Sequence, residues 1–182
     1  MLFPFRLLLC VVLCCFLSCP AAFADKKPEG DRHAIVLATF GTTVPEALQG
    51  ILHIRDRIRQ RLPPRAVRLA FTSAIIRTVW HKRRNDQAFH TANPGVPVDI
   101  YSARSPLATI ADLQEEGYRT ILVQPGHISL GEEYLDLVET VRALNAIATV
   151  KAKNRLFDKL VVSRPALGTM GTAHPYAQDI RT

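Results

Sequence analysis

Hydrophobic residues in this chain come in blocks whose period switches between that of buried strands and that of helices. After a polar stretch from Asp25 to Arg32, Ala34-Ile35-Val36-Leu37-Ala38 runs without a polar interruption, which predicts a strand buried on both faces, as in a parallel sheet. Phe40-Gly41-Thr42-Thr43 ends it. From Pro45 the apolar residues Ala47, Ile51, Ile54 and Ile58 return at steps of four, three and four, the helical period, until Pro63-Pro64 stops the helix.

The same grammar repeats along the chain. Val67–Phe71 predicts a second strand, with Thr72-Ser73 capping a helix from Ala74 through Trp80. Ser105-Pro106 is an N-cap followed by proline at the first helical position; Leu107, Ile110 and Leu113 form that helix's apolar face, and Gly117 closes it. Thr120–Val123 predicts the third strand, Gly131–Leu144 an amphipathic helix, and Lys159–Val162 the fourth strand, while Pro165–Thr182 reads as a loop opening into a helix. Strands alternating with helices predict an α/β fold: a parallel sheet in the order 2-1-3-4 with helices on both faces. Ligands of such sheets bind beyond the carboxyl ends of the strands. That rule directs attention to Thr39–Thr43, Thr72-Ser73, Gln124–Ser129 and Ser163 onward.

Composition adds a leader and a charge. The chain has 182 residues, 48% of them hydrophobic, which excludes disordered and collagen-like classes and fits one globular unit. Residues 1–24 contain no acid, and Arg6, the apolar run Leu7–Leu17 and Ala22-Phe23-Ala24 compose a secretory signal cleaved after Ala24. A lipid anchor at Cys19 and an uncleaved anchor are the alternatives. All four cysteines lie in this segment, so residues 25–182 need no disulfide. The expected organisation is a signal at 1–24, a tether at 25–33 and an α/β domain at 34–165, with a periplasmic location and no membrane association once the signal is gone.

The formal charge of +7 suits an anionic ligand. His81-Lys82-Arg83-Arg84 resembles a phosphate-binding run, but with no aromatic platform and no nucleic-acid motif it reads as a solvated helix end, its cations near the negative pole of the helix dipole. No nucleic-acid partner is expected. No nucleotide is expected either, because Phe40-Gly41-Thr42-Thr43 lacks the pattern of a phosphate loop.

Gln124-Pro125-Gly126-His127 through Gly131-Glu132-Glu133-Tyr134 carries the most chemistry. His127 leaves a buried strand at its carboxyl end, and two carboxylates open the next helix. Glu132 continues to Asp136 and Glu139 on a solvated face, whereas Glu133 continues to Leu137, Val141 and Leu144. A carboxylate in line with an apolar stripe needs a partner, so Glu133 is expected to point into a cleft, where with His127 it could bind a divalent metal or move protons. The alternative for Glu133 is a dipole and capping role. His53, with Gln49, Asp56, Arg57 and Gln60, is expected to be exposed; His174 could face the cleft.

Ala38-Thr39-Phe40-Gly41-Thr42-Thr43, Ala70-Phe71-Thr72-Ser73, and Val123-Gln124 through His127 to Gly131-Glu132-Glu133-Tyr134 resemble the anaerobic sirohydrochlorin cobaltochelatase family, one of the class II tetrapyrrole chelatases. The resemblance implies a flavodoxin-like domain, one of two facing halves, with insertion of Co²⁺ into sirohydrochlorin as the reaction. Fe²⁺ and Ni²⁺ are alternative metals, and a related tetrapyrrole is an alternative macrocycle. It further implies that Glu133 is a metal ligand, that His127 lies on the cleft wall, and that Thr39, Phe40, Gly41, Thr42, Phe71, Thr72 and Ser73 line the macrocycle site. Residues 166–182 would begin a truncated second half, whose metal histidines have no counterpart here. Trp80–Ser102 is longer than the connection that the family implies, so Asn93-Pro94-Gly95 is expected to form an added surface loop. The implied function is a sirohydrochlorin cobaltochelatase of anaerobic cobalamin synthesis, incomplete in this chain and able to gain donors as a homo-oligomer. The alternatives are a periplasmic metal or tetrapyrrole carrier without turnover and an inactive fragment.

Overall fold

A computed structural model describes residues 32–167. The expected signal at 1–24, nearly all of the expected tether and of residues 166–182, and His174 lie outside the described residues. Four strands, β1 (His33–Thr39), β2 (Ala66–Phe71), β3 (Thr120–Pro125) and β4 (Lys159–Val162), form one sheet in the order β2-β1-β3-β4. Every pairing is parallel, with Thr39 opposite Phe71, Ala38 opposite Pro125 and Val123 opposite Val162. The topology is the one that the alternating pattern predicted.

Each apolar stripe finds its layer. Ala34, Val36 and Ala38 pack with Ile121, Val123 and Leu160 of the neighbouring strands. Over them lie Ile110 and Leu113 of helix α4 (Pro106–Glu115) and Leu137 and Val141 of helix α5 (Glu132–Asn145). Phe71 belongs to a second cluster, with Leu48 and Leu52 of helix α1 (Pro45–Arg61) and Ile76 and Trp80 of helix α2 (Ala74–Arg83). Two clusters on opposite faces of one sheet are the signature of a doubly covered parallel fold. Caps set the helix starts: Ser73 Oγ accepts from Ile76 N, and Ser105 Oγ accepts from Ala108 N at 3.2 Å.

Helix α1 turns a different face inward from the one expected. Leu48, Leu52 and Arg55 are its buried residues, whereas Ala47 and Ile54 are exposed and Ile51 and Ile58 lie at the margin. Two leucines bury more apolar area than an alanine and one isoleucine, and that rotates the helix. Arg55 is tolerated inside because its guanidinium reaches Asp56 at 2.9 Å and Asp99 at 3.4 Å. On α4, Leu107 likewise remains half exposed while Pro106 and Thr109 join Ile110 and Leu113 inside.

The long connection from Trp80 to Ser102 is more than a surface loop. Asn93-Pro94-Gly95 does turn at the surface, but helix α3 (Gln87–Ala92) and a 3₁₀ turn (Val98–Ser102) flank it. Val96, Ile100 and Tyr101 are buried against Trp80, extending the second cluster. Among the described residues no helix is long and apolar enough to cross a membrane.

Candidate functional site

Parallel register brings the carboxyl ends of β1, β2 and β3 to one edge, so the segments after them meet there. The turns are tied to one another through the backbone: Thr72 N donates to Thr39 O at 2.8 Å, Ser73 N to Phe40 O at 3.3 Å, and Gly126 N to Ala38 O at 2.7 Å. Gly41 has φ of +93°, a conformation that side chains resist, and an added Cβ would lie 2.8 Å from Phe71 Cγ. Gly126 is needed for a close approach, since a Cβ there would sit 2.6 Å from Thr39 Cγ2. Thr39, Phe40, Gly41, Thr42, Thr72, Ser73 and His127 thus gather at the edge as expected. Phe71 is there too, but its ring is fully buried beneath Gly41, so it supports the loop and offers no surface to a ligand. Thr39 is also almost entirely covered.

His127 is the least satisfied side chain at this edge. Both ring nitrogens are buried without a hydrogen-bond partner among the described residues, and so is Thr39 Oγ1. The main chain around the imidazole is fixed, with Ala166 N donating to His127 O at 3.0 Å and Leu167 N to Ile128 O at 2.6 Å. Burial pushes the His127 pKa below its ordinary value, and the Glu133 carboxylate pulls the other way. Desolvation wins. A neutral imidazole at neutral pH keeps a lone pair free for a metal or a proton.

Glu133 is exposed, which corrects its expected place on the buried stripe. Helix α5 buries Tyr134, Leu137 and Val141, and Glu133 precedes this stripe in the first turn. Tyr134 wins the inward position because its ring is apolar and its hydroxyl can donate to Ser163 O, 3.3 Å away. The charge of the Glu133 carboxylate nevertheless reaches His127, where it opposes the larger effect of burial on the imidazole. Its Oε2 also comes within 3.7 Å of where a Gly131 Cβ would stand. Among the described residues, no three His, Cys, Asp or Glu side chains gather into a group that could hold a metal ion.

The basic run 81–84 ends helix α2 with His81, Lys82 and Arg84 exposed, as expected of a solvated helix end, but Arg83 is half-buried. Arg83 turns back over the aromatic rings of Trp80 and Phe89, at 4.8 and 4.3 Å, and donates to Thr43 O at 2.6 Å. His81 Nε2 lies 2.8 Å from Ala103 O, and Arg84 Nε donates to Tyr101 O. His53 is exposed, as its polar face predicted. Sequence reasoning missed Arg77, whose Nη1 binds the carbonyls of Phe71 and Thr72 at 2.5 and 2.8 Å and so fixes the end of β2. An arginine four residues after a cap was its only signal. Gln124 and Ser163 couple β3 to the segment after β4 through a 3.0 Å hydrogen bond between their side chains.

The family model for cobalt chelatase (CbiK) matches residues 33–182, from the first residue of β1 to the end of the chain. It takes in the whole sheet, the turns at its carboxyl edge, His127 and Glu133. On a match of that extent, over a parallel sheet of this order, the chain belongs to the cobalt chelatase family.

Proposed function

We propose that this chain handles Co²⁺ and a tetrapyrrole at the carboxyl edge of its sheet, and that its reaction is insertion of Co²⁺ into sirohydrochlorin with release of two protons. The observation that carries this reading is the half-buried imidazole of His127, whose two buried nitrogens have no partner among the described residues, within range of the charge on the exposed Glu133 carboxylate. A buried polar group left unsatisfied costs stability unless something binds it. In this reading Glu133 meets the incoming hydrated metal, replacing water with a carboxylate oxygen. The neutral His127 offers a lone pair to the metal or accepts a pyrrole proton.

Exposed apolar side chains support a flat macrocycle at the same edge. Phe40 is 48% exposed, Ile75, in the first turn of α2, 78%, and Ile128, after β3, 69%. Singly they would need no explanation, but together they suit a ring with two apolar faces. The net charge, +7 for the whole sequence and +6 without Arg6 of the leader, would draw in its carboxylates. The proposed setting is the periplasm, supported by the Leu7–Leu17 run and the Ala22-Phe23-Ala24 site.

The test follows sirohydrochlorin absorbance anaerobically after Co²⁺ is added, with a small amount of protein. Protein-dependent acceleration that disappears in Glu133→Ala supports the reaction. Binding of metal and macrocycle without acceleration makes the chain a carrier, and binding of neither overturns the proposal.

A further inference from the structure

We propose that the segment from α2 through the 3₁₀ turn at Val98–Ser102 is a buttress for the Phe40–Thr43 loop, with Trp80 and Arg83 as positioning residues for tetrapyrrole binding. The proposal rests on the reading of the carboxyl edge as the macrocycle site.

The loop needs outside support. It bends at Gly41 with φ of +93° and leaves Phe40 half exposed at the edge. Its last two carbonyls find their donors on α2: Trp80 Nε1 donates to Thr42 O at 2.8 Å, and Arg83 Nη1 to Thr43 O at 2.6 Å. Neither donor could hold its place alone. Trp80 is fully buried, edge-on to Phe89 of α3 at 6.0 Å and to Tyr101 of the 3₁₀ turn at 5.9 Å. Phe89 and Tyr101 also meet edge-on, at 6.5 Å. The Arg83 guanidinium lies 4.3 Å above the Phe89 ring, a cation–π contact that helps hold it where it reaches Thr43. The connection between β2 and β3 has thus become an aromatic block whose two outward-reaching donors end on the loop.

Holding a binding loop in place before the ligand arrives lowers the ordering cost of binding, so affinity depends on groups that never touch the ligand. Trp80 is the only tryptophan in the chain, so its indole N–H gives a single resonance that reports on Thr42.

The experiment uses the full chain, with sirohydrochlorin titrated by absorbance and the Trp80 indole resonance followed by ¹H–¹⁵N spectroscopy. Trp80→Phe keeps the ring and removes the donor; Arg83→Lys keeps the charge and removes the planar stack. Each is expected to weaken sirohydrochlorin binding by roughly 5- to 10-fold, the scale of one lost hydrogen bond. Co²⁺ affinity measured without tetrapyrrole should stay within about 2-fold of wild type, since neither residue is a metal donor. In wild type the indole resonance should move as sirohydrochlorin saturates. Equal sirohydrochlorin affinity in wild type and both variants, or an indole resonance unmoved at saturation, overturns the buttress while leaving the site reading intact. Failure of wild type to bind sirohydrochlorin at all overturns the site reading itself.

Discussion

Replacing His127 with phenylalanine should stabilise the protein while disabling the site. Both ring nitrogens are buried and have no partner among the described residues, and each group of that kind costs about 1–3 kcal/mol. Phenylalanine keeps a planar ring without those nitrogens, although its extra bulk at a position only partly open to solvent takes back some of the gain. A net gain of about 1–2 kcal/mol is expected, which at about 2–4 °C per kcal/mol raises Tm by roughly 3–6 °C. The gap should also depend on pH. Burial depresses the folded-state pKa of His127, so its contribution is present above its unfolded value of about 6.5 and is lost as pH falls through the folded pKa. Wild type therefore weakens on acidification at this position and the phenylalanine variant does not. Thermal unfolding by circular dichroism at pH 8 and pH 5.5 should show the variant ahead at both, and further ahead at pH 5.5. A variant less stable than wild type at pH 8, or a gap that does not widen in acid, would refute the reasoning.

Gly41→Ala should lose about 2–4 kcal/mol from a strained positive φ and overpacking, because its Cβ would press on Phe71 Cγ at 2.8 Å and Ile76 Cγ2 at 3.1 Å; a lower urea midpoint would show it. Ser105→Ala removes the N-cap of α4 and should cost about 1 kcal/mol, visible as a Tm drop of roughly 2–4 °C. Glu133→Gln takes away the charge that holds the His127 pKa up, so an NMR titration should find the imidazole pKa lower still; a rise would separate the two residues.

The sheet was legible because its strands are short apolar runs between turn signals. Ala34–Ala38 has nothing polar to mislead, and the period change at Pro45 separates strand from helix. Facing was harder. On α1 two apolar stripes overlap, and the buried one includes Arg55, whose ion partners Asp56 and Asp99 are not both near in sequence. On α5 the spacing from Glu133 to Leu137 and Val141 is a true helical period, yet Tyr134 lies closer to the centre of the buried arc. The meeting of Gly126 with Thr39, just before His127, follows from parallel register and could be anticipated. The role of Arg83 could not, because it depends on Phe89 folding back over a basic run that by itself reads as solvated. Phe71 was expected to line the site for the right topological reason, but the last residue of a strand alternates inward, and its ring went to the core.

The most direct test of the site is a Co²⁺ titration of the full chain, with the histidine imidazoles followed by ¹H–¹⁵N spectroscopy. Paramagnetic Co²⁺ shifts and broadens the rings nearest to it. If His127 and Glu133 form the metal-handling pair, the His127 ring signals are perturbed at the lowest Co²⁺ concentration, and Glu133→Gln raises the concentration needed by roughly 10-fold, within the range for losing a metal-site partner. If Co²⁺ perturbs the exposed His53 while the His127 signals stay in place, or if Glu133→Gln leaves the titration unchanged, the pair is not a metal site and the account fails.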